Sequence, residues 1–84
     1  MKNVKEAARE LIIKKLNEQI EVGSRVSFVD RQGHGATGVV VELYTMMCAI
    51  QVTNPAIEDL DVERDFKRPN HALVGNERVR LLPF

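Results

Sequence analysis

The chain has 84 residues, with twelve Lys and Arg balanced by twelve Asp and Glu, and 44% of its side chains are apolar. That length holds one domain with a modest core, and the apolar fraction argues against wholesale disorder. Zero net charge withholds the basic excess on which phosphate binding usually rests, the lone Cys48 excludes an internal disulfide, and no apolar run reaches the ~20 residues that span a bilayer.

Trp is absent and the aromatics are Phe28, Tyr44, Phe66 and Phe84, so the core is expected to be aliphatic. Charges alternate from Lys2 to Glu10 without a signal-peptide apolar region. With a single cysteine, this gives a reducing, cytoplasmic setting as the expectation, with no membrane association.

Residues 2–20 read as an α-helix. They contain no Gly or Pro and are rich in Ala, Leu, Lys and Glu, with Asn3 as a possible N-cap and Gly23 as a stop signal just beyond. At roughly 100° per residue, Val4, Ala7, Ala8 and Leu11 form one apolar stripe, and Ile12, Ile13, Leu16 and Ile20 form another, rotated by about 120°. One flat surface does not cover both. Two readings stay open: a helix lying across its own domain with a wide contact, or a helix shared with a second copy in a homodimer. The expected division is residues 1–21 as the helix and residues 22–84 as a small β domain.

From residue 25 the apolar period becomes two. Arg25–Asp30 reads as a strand with Val26 and Phe28 on one face. Arg31-Gln32-Gly33-His34-Gly35 is a turn. Thr37–Thr45 is a second strand, with Val39, Val41 and Leu43 on one face and Val40, Glu42 and Tyr44 on the other. Cys48–Thr53 is a third, with Ile50 and Val52 in phase. Asn54-Pro55 breaks the run. Over residues 57–67, Leu60, Val62, Arg64 and Phe66 alternate with Asp61, Glu63, Asp65 and Lys67. That favours a strand with a charged, wet face over the competing short helix beginning at Pro55. Arg68-Pro69-Asn70 is a turn, Ala72–Val74 is too short to assign, and Arg78–Leu82 is a closing strand. About five short antiparallel strands are expected to close into a small barrel, because closure removes exposed sheet edges.

Val22-Gly23-Ser24-Arg25-Val26-Ser27-Phe28, then Thr37-Gly38-Val39-Val40-Val41, then Ile50 and Val52, together resemble the opening strands of Src-homology-3-like small barrels of the KOW and Tudor kind. The resemblance covers residues 22–53, with an echo in Val79-Arg80-Leu81-Leu82. It implies a five-stranded antiparallel barrel that binds RNA, DNA or proteins of transcription and translation through the loop between its first two strands. Two departures stand out: basic residues are thin on the first three strands, and no aromatic cage is evident.

Charge is segregated downstream. Residues 56–65 carry five acids against one base, and residues 66–80 carry four bases against one acid. The candidate contacts to nucleic acid or a partner are therefore Arg31, Gln32 and His34 in the glycine-flanked loop, and Lys67, Arg68, Arg78 and Arg80 if they converge. An ordinary solvated loop and a charge-balancing face are the competing readings of the same residues. The acidic run from Glu58 to Asp65 either mimics phosphate or deters edge pairing. Cys48, His34 and His71 lack metal-ligand spacing, and neither Ser24 nor Ser27 has a base nearby in sequence. No metal, cofactor or catalysis is expected. Three readings remain: a nucleic-acid-associated binding module; a protein–protein adaptor or small inhibitor of phage or mobile-element type that uses the helix and the acidic segment; or a helix-mediated homodimer whose barrel stabilises the helix.

Overall fold

The structure, a computed structural model, describes residues 19–83. Six strands are present among the described residues: β1 (Arg25–Val29), β2 (Gly35–Leu43), β3 (Met47–Asn54), β4 (Glu63–Arg64), β5 (Ala72–Gly75) and β6 (Arg80–Leu81). Single 3₁₀ turns at Ile57–Asp59 and Asn76–Arg78 precede β4 and β6. The strands form one antiparallel sheet in the order β4-β5-β3-β2-β1-β6. Most of the helix expected over residues 2–20, including Ile12, Ile13 and Leu16, lies outside the described residues. Ile20 is described and packs against the core.

The hairpins follow from the period-two pattern. In β1, Val26 and Phe28 point inward while Arg25 and Val29 stay exposed. In β2 the buried positions are Ala36, Gly38 and Val40, with Val39 and Val41 half-buried. A register shift between Val40 and Glu42 re-aims the end of the strand, so that Glu42 pairs with Ala49. Gly38 is required by packing: a Cβ there would lie 2.5 Å from both the Gln51 carbonyl oxygen and Ile50 Cγ2. Ile50, Val26, Val40, Val79 and Cys48 are the largest fully enclosed apolar side chains, and Ile57 and Leu60 pack onto the same cluster.

Three expectations need correction. The sheet has six strands rather than five, because Ala72–Gly75 pairs with β3 at Cys48↔Val74 and so becomes an interior strand. Residues 57–67 are neither one strand nor one helix: a 3₁₀ turn buries Ile57 and only Glu63–Arg64 is strand. Finally, the ladder is open. β4 and β6 end it, and at two residues each they offer too few backbone groups to pair into a closed barrel.

The sheet is nonetheless strongly coiled. β1 and β4 are four places apart in the ladder, a separation of about 19 Å if the sheet were flat. Yet the Arg31 N–H, just after β1, donates to the Asp61 carbonyl, two residues before β4, at 3.1 Å. The sheet therefore bends far enough to bring these segments together.

The alternation across residues 60–67 also reverses at one step. Asp65 is wholly buried and Phe66 is 81% exposed. Buried carboxylates persist where hydrogen bonds replace water. Asp65 meets that condition: it accepts from the Lys67 N–H at 3.2 Å, from Arg68 Nη1 at 3.1 Å and from the Tyr44 hydroxyl at 3.4 Å. Among the described residues, no helix is long and apolar enough to cross a membrane.

Candidate functional site

The loop joining β1 to β2 is built on one side chain. Asp30 is 4% exposed, and its carboxylate accepts from the backbone N–H groups of Gln32 at 2.9 Å, His34 at 2.8 Å and Asp61 at 3.1 Å. Gly33, at φ 87°, supplies the left-handed step that lets the chain turn around this carboxylate. Burial alone would raise the Asp30 pKa, but the three backbone donors and the nearby His34 ring hold it down to about 2. The loop is thus pinned, with the side chains of Arg31, Gln32 and His34 on the outside. Arg31 Nη1 meets Asp61 Oδ1 at 3.2 Å, and His34 Nδ1 lies 3.3 Å from Asp30 Oδ2.

Lys67 and Arg68 belong to a different cluster. Arg68 bridges Glu42 at 3.0 Å and Asp65 at 3.1 Å, and Lys67 reaches Glu42 at 3.5 Å. The Tyr44 hydroxyl and the Arg68 guanidinium hold the Glu42 carboxyl below its usual range. Burial works against ionisation of Asp65, yet the Lys67 N–H and Arg68 keep its pKa low. The two carboxylates in turn raise that of Arg68. For Tyr44, burial comes first and the facing carboxylates second in pushing its pKa up. This is a charge-compensated knot, and its cations are already spent.

Arg78 and Arg80 are placed otherwise. They line an open groove of about 910 Å³ between the outer ends of β1, β2 and β3 and the last 3₁₀ turn. Phe28, Val29, Ala36 and Pro55 contribute its apolar surface, and Ser27, Thr37 and Asn54 contribute hydroxyl and amide groups. Arg80 Nη1 donates to the carbonyls of Glu77 at 2.7 Å and Val79 at 3.0 Å, which fixes the guanidinium without neutralising it. Among the described residues, neither Arg78 nor Arg80 forms an ion pair with a carboxylate. Among the described residues, Glu77 is the one carboxylate lining the groove.

Of the seven candidates from the sequence, Arg78 and Arg80 share the groove, and Arg31, Gln32 and His34 sit in the loop whose flanking residues Val29 and Gly35 line it. Lys67 and Arg68 do not join them: no hydrogen bond or ion pair connects the two groups. The sequence reading passed over Asp30, although an Asp three residues before Gly33 is a recognisable turn signal. The convergence of Ser27, Thr37 and Asn54 on the groove depends on strand pairing and leaves no local trace in the sequence. Among the described residues, no group of three or more His, Cys, Asp or Glu side chains gathers in metal-binding geometry. No protein-family model, no curated protein and no solved structure matches this chain.

Proposed function

We propose that this chain is a small non-enzymatic binding module that seats an extended, acidic and partly apolar segment of a partner protein in the Arg78–Arg80 groove. The observation that carries the reading is that these two arginines line a broad open concavity with no carboxylate ion-pair partner among the described residues. A concave, partly apolar surface with a few convergent polar groups is the usual form of a binding site. The finer fold reading, a likeness to Src-homology-3-like folds of the KOW and Tudor kind in an unclosed form, is supported by the coiling of the sheet and by the glycine-relieved crossing at Gly38. A cytoplasmic setting is supported by the single, buried thiol.

Nucleic acid is the second reading, favoured by the same unpaired arginines. Magnitude argues against it. Two phosphate contacts give a salt slope of only about −1.4 for a single strand, whereas tight binders make ~6–10 such contacts. Arg31, Lys67 and Arg68, which would have extended the footprint, are held by Asp61, Glu42 and Asp65.

The test is fluorescence anisotropy with three labelled probes at low salt: a short peptide alternating Asp with Leu, a matched peptide alternating Lys with Leu, and an oligothymidylate. The acidic peptide should bind, and the double change Arg78→Glu with Arg80→Glu should weaken it at least ~10-fold. Equal binding of the basic peptide, or tighter binding of the oligonucleotide with a steep salt slope, would sink the protein-partner reading.

A further inference from the structure

Strand pairing lays one polar row along the Arg78–Arg80 groove. Arg80 on β6 stands opposite Ser27 on β1, Ser27 opposite Thr37 on β2, and Thr37 opposite Asn54 on β3. All four residues line the groove. Residues directly opposite on paired strands project from the same face. Strands lie about 4.8 Å apart, so the row extends about 14 Å, the reach of about four residues of an extended chain. Arg80 ends the row on the edge strand, with its backbone fixed by the pairing to Ser27. Arg78 sits on the 3₁₀ turn, outside the ladder.

The Arg80 side chain is held by one corner. A guanidinium carries its N–H donors in a rigid plane. Here the Nη1 corner is spent internally, on the Glu77 carbonyl at 2.7 Å and the Val79 carbonyl at 3.0 Å. Nη1 lies on the Cδ side of that plane, so the edge left over is the opposite one, where the Nε–H and one Nη2 N–H run parallel. Among the described residues, no acceptor meets Nε or Nη2. Glu77 does not fill the role, because its carboxylate is turned back over Gly75: a Cβ on that glycine would stand 2.6 Å from Glu77 Oε1. Arg78 has no comparable anchor among the described residues, since neither a hydrogen bond nor an ion pair fixes its guanidinium.

Two parallel N–H groups on a fixed plane match the two oxygens of a carboxylate, and such a pair is stronger and more selective in geometry than a single ammonium contact. We infer that Arg80 is the specificity-determining residue of the groove: its Nε–Nη2 edge takes one Asp or Glu side-chain carboxylate of the partner segment in a bidentate pair, while Arg78 adds charge without fixed geometry. The inference rests on the protein-partner reading of the groove and names the group recognised there. The carboxylate belongs to a side chain rather than to a chain end, because two unpaired arginines call for two anions and a chain end supplies one. Because Arg80 is held in place before the partner arrives, little ordering is left for binding to accomplish.

The test compares Arg80→Lys with Arg78→Lys in the full chain, each of which keeps the charge. Binding is read by fluorescence anisotropy with a labelled peptide that alternates Asp with Leu and is capped at both ends, so that only side-chain carboxylates are offered. Arg80→Lys should weaken binding at least ~10-fold, and Arg78→Lys by less than about 3-fold. In the isotope-labelled parent, the Arg80 Nε–H resonance should move downfield as peptide is added, a change that a merely structural role for Arg80 does not produce. Equal losses in the two variants, or an Arg80 Nε–H resonance unmoved at saturation, overturn the inference and leave the protein-partner reading standing. A parent that does not bind the acidic peptide overturns both. Both arginines are exposed, so neither change puts folding at risk.

Discussion

The Asp61 N–H donates to Asp30 Oδ2 at 3.1 Å, while Arg31, next to Asp30, returns both a backbone and a side-chain bond to Asp61. These two residues lie beside strands that are four places apart in the ladder. The pair therefore links distant parts of a coiled sheet where strand pairing does not. The same carboxylate also organises the β1–β2 loop, so loop shape and sheet curvature depend on one side chain.

Replacing Asp30 should loosen both. Asp30→Ala leaves three backbone donors without their partner, and buried donors without partners are costly. The thermal midpoint should fall by more than ~5 °C, with faster amide exchange at Gln32, His34 and Asp61. An unchanged midpoint together with unchanged protection at these three amides would show that the carboxylate is dispensable.

Acid sensitivity follows from the same group. The folded pKa of Asp30, about 2, lies below its ordinary value of 3.8. Its contribution is therefore present above the ordinary value and is lost as pH falls through the folded one. Between about pH 4 and pH 2 the midpoint of the parent should drop more steeply than that of Asp30→Asn, which has no proton to gain. Asp65 and Glu42, also depressed, contribute a common background in both proteins. Parallel slopes for parent and variant across that window would contradict the assignment.

Gly38→Ala should be disproportionately damaging for a single methyl group. The added carbon would press on the Gln51 backbone, which has no flexible end to move aside. Overpacking of this kind costs about 1–3 kcal/mol, read as a lower urea midpoint with unchanged slope. Gly35→Ala is the control, since a Cβ there meets nothing within 4 Å. Equal effects at the two glycines would count against the close approach of β2 and β3.

Adjacent residues 65 and 66 should invert the usual rule about polar and apolar substitutions. Asp65→Ala removes the acceptor of Lys67, Arg68 and Tyr44, and should destabilise the β4–β5 connection. Phe66→Ser gives up little burial, so its stability should stay within about 0.5 kcal/mol of the parent. Urea titrations of both variants at micromolar protein decide this, and a larger loss from Phe66→Ser would mean that the ring is buried.

Cys48 should resist modification. Burial pushes its thiol pKa up, and the sulfur is 3.0 Å from Asn76 Oδ1. A colourless disulfide reagent should label it slowly in buffer and promptly in urea. Rapid labelling of the native chain would show that the sulfur is open to solvent.

The sequence by itself determined where the strands of the first half run and which residues turn between them. Arg25–Val29, Gly35–Leu43 and Met47–Asn54 are local hairpin partners, and alternating apolar residues, with Gly33 in the first turn, carry that information within a few positions. Only the tertiary structure decided the second half. Ala72–Gly75 becomes a strand because β3 presents it an edge, and Asp65 goes inside while Phe66 goes out because Arg68, Tyr44 and the Lys67 amide satisfy a carboxylate that the pattern placed in water. The groove has the same origin: Ser27, Asn54 and Arg80 come from three different strands and meet only after pairing. Period and turn chemistry are properties of neighbours along the chain, whereas the satisfaction of a buried charge and the shape of a concavity are properties of neighbours in space.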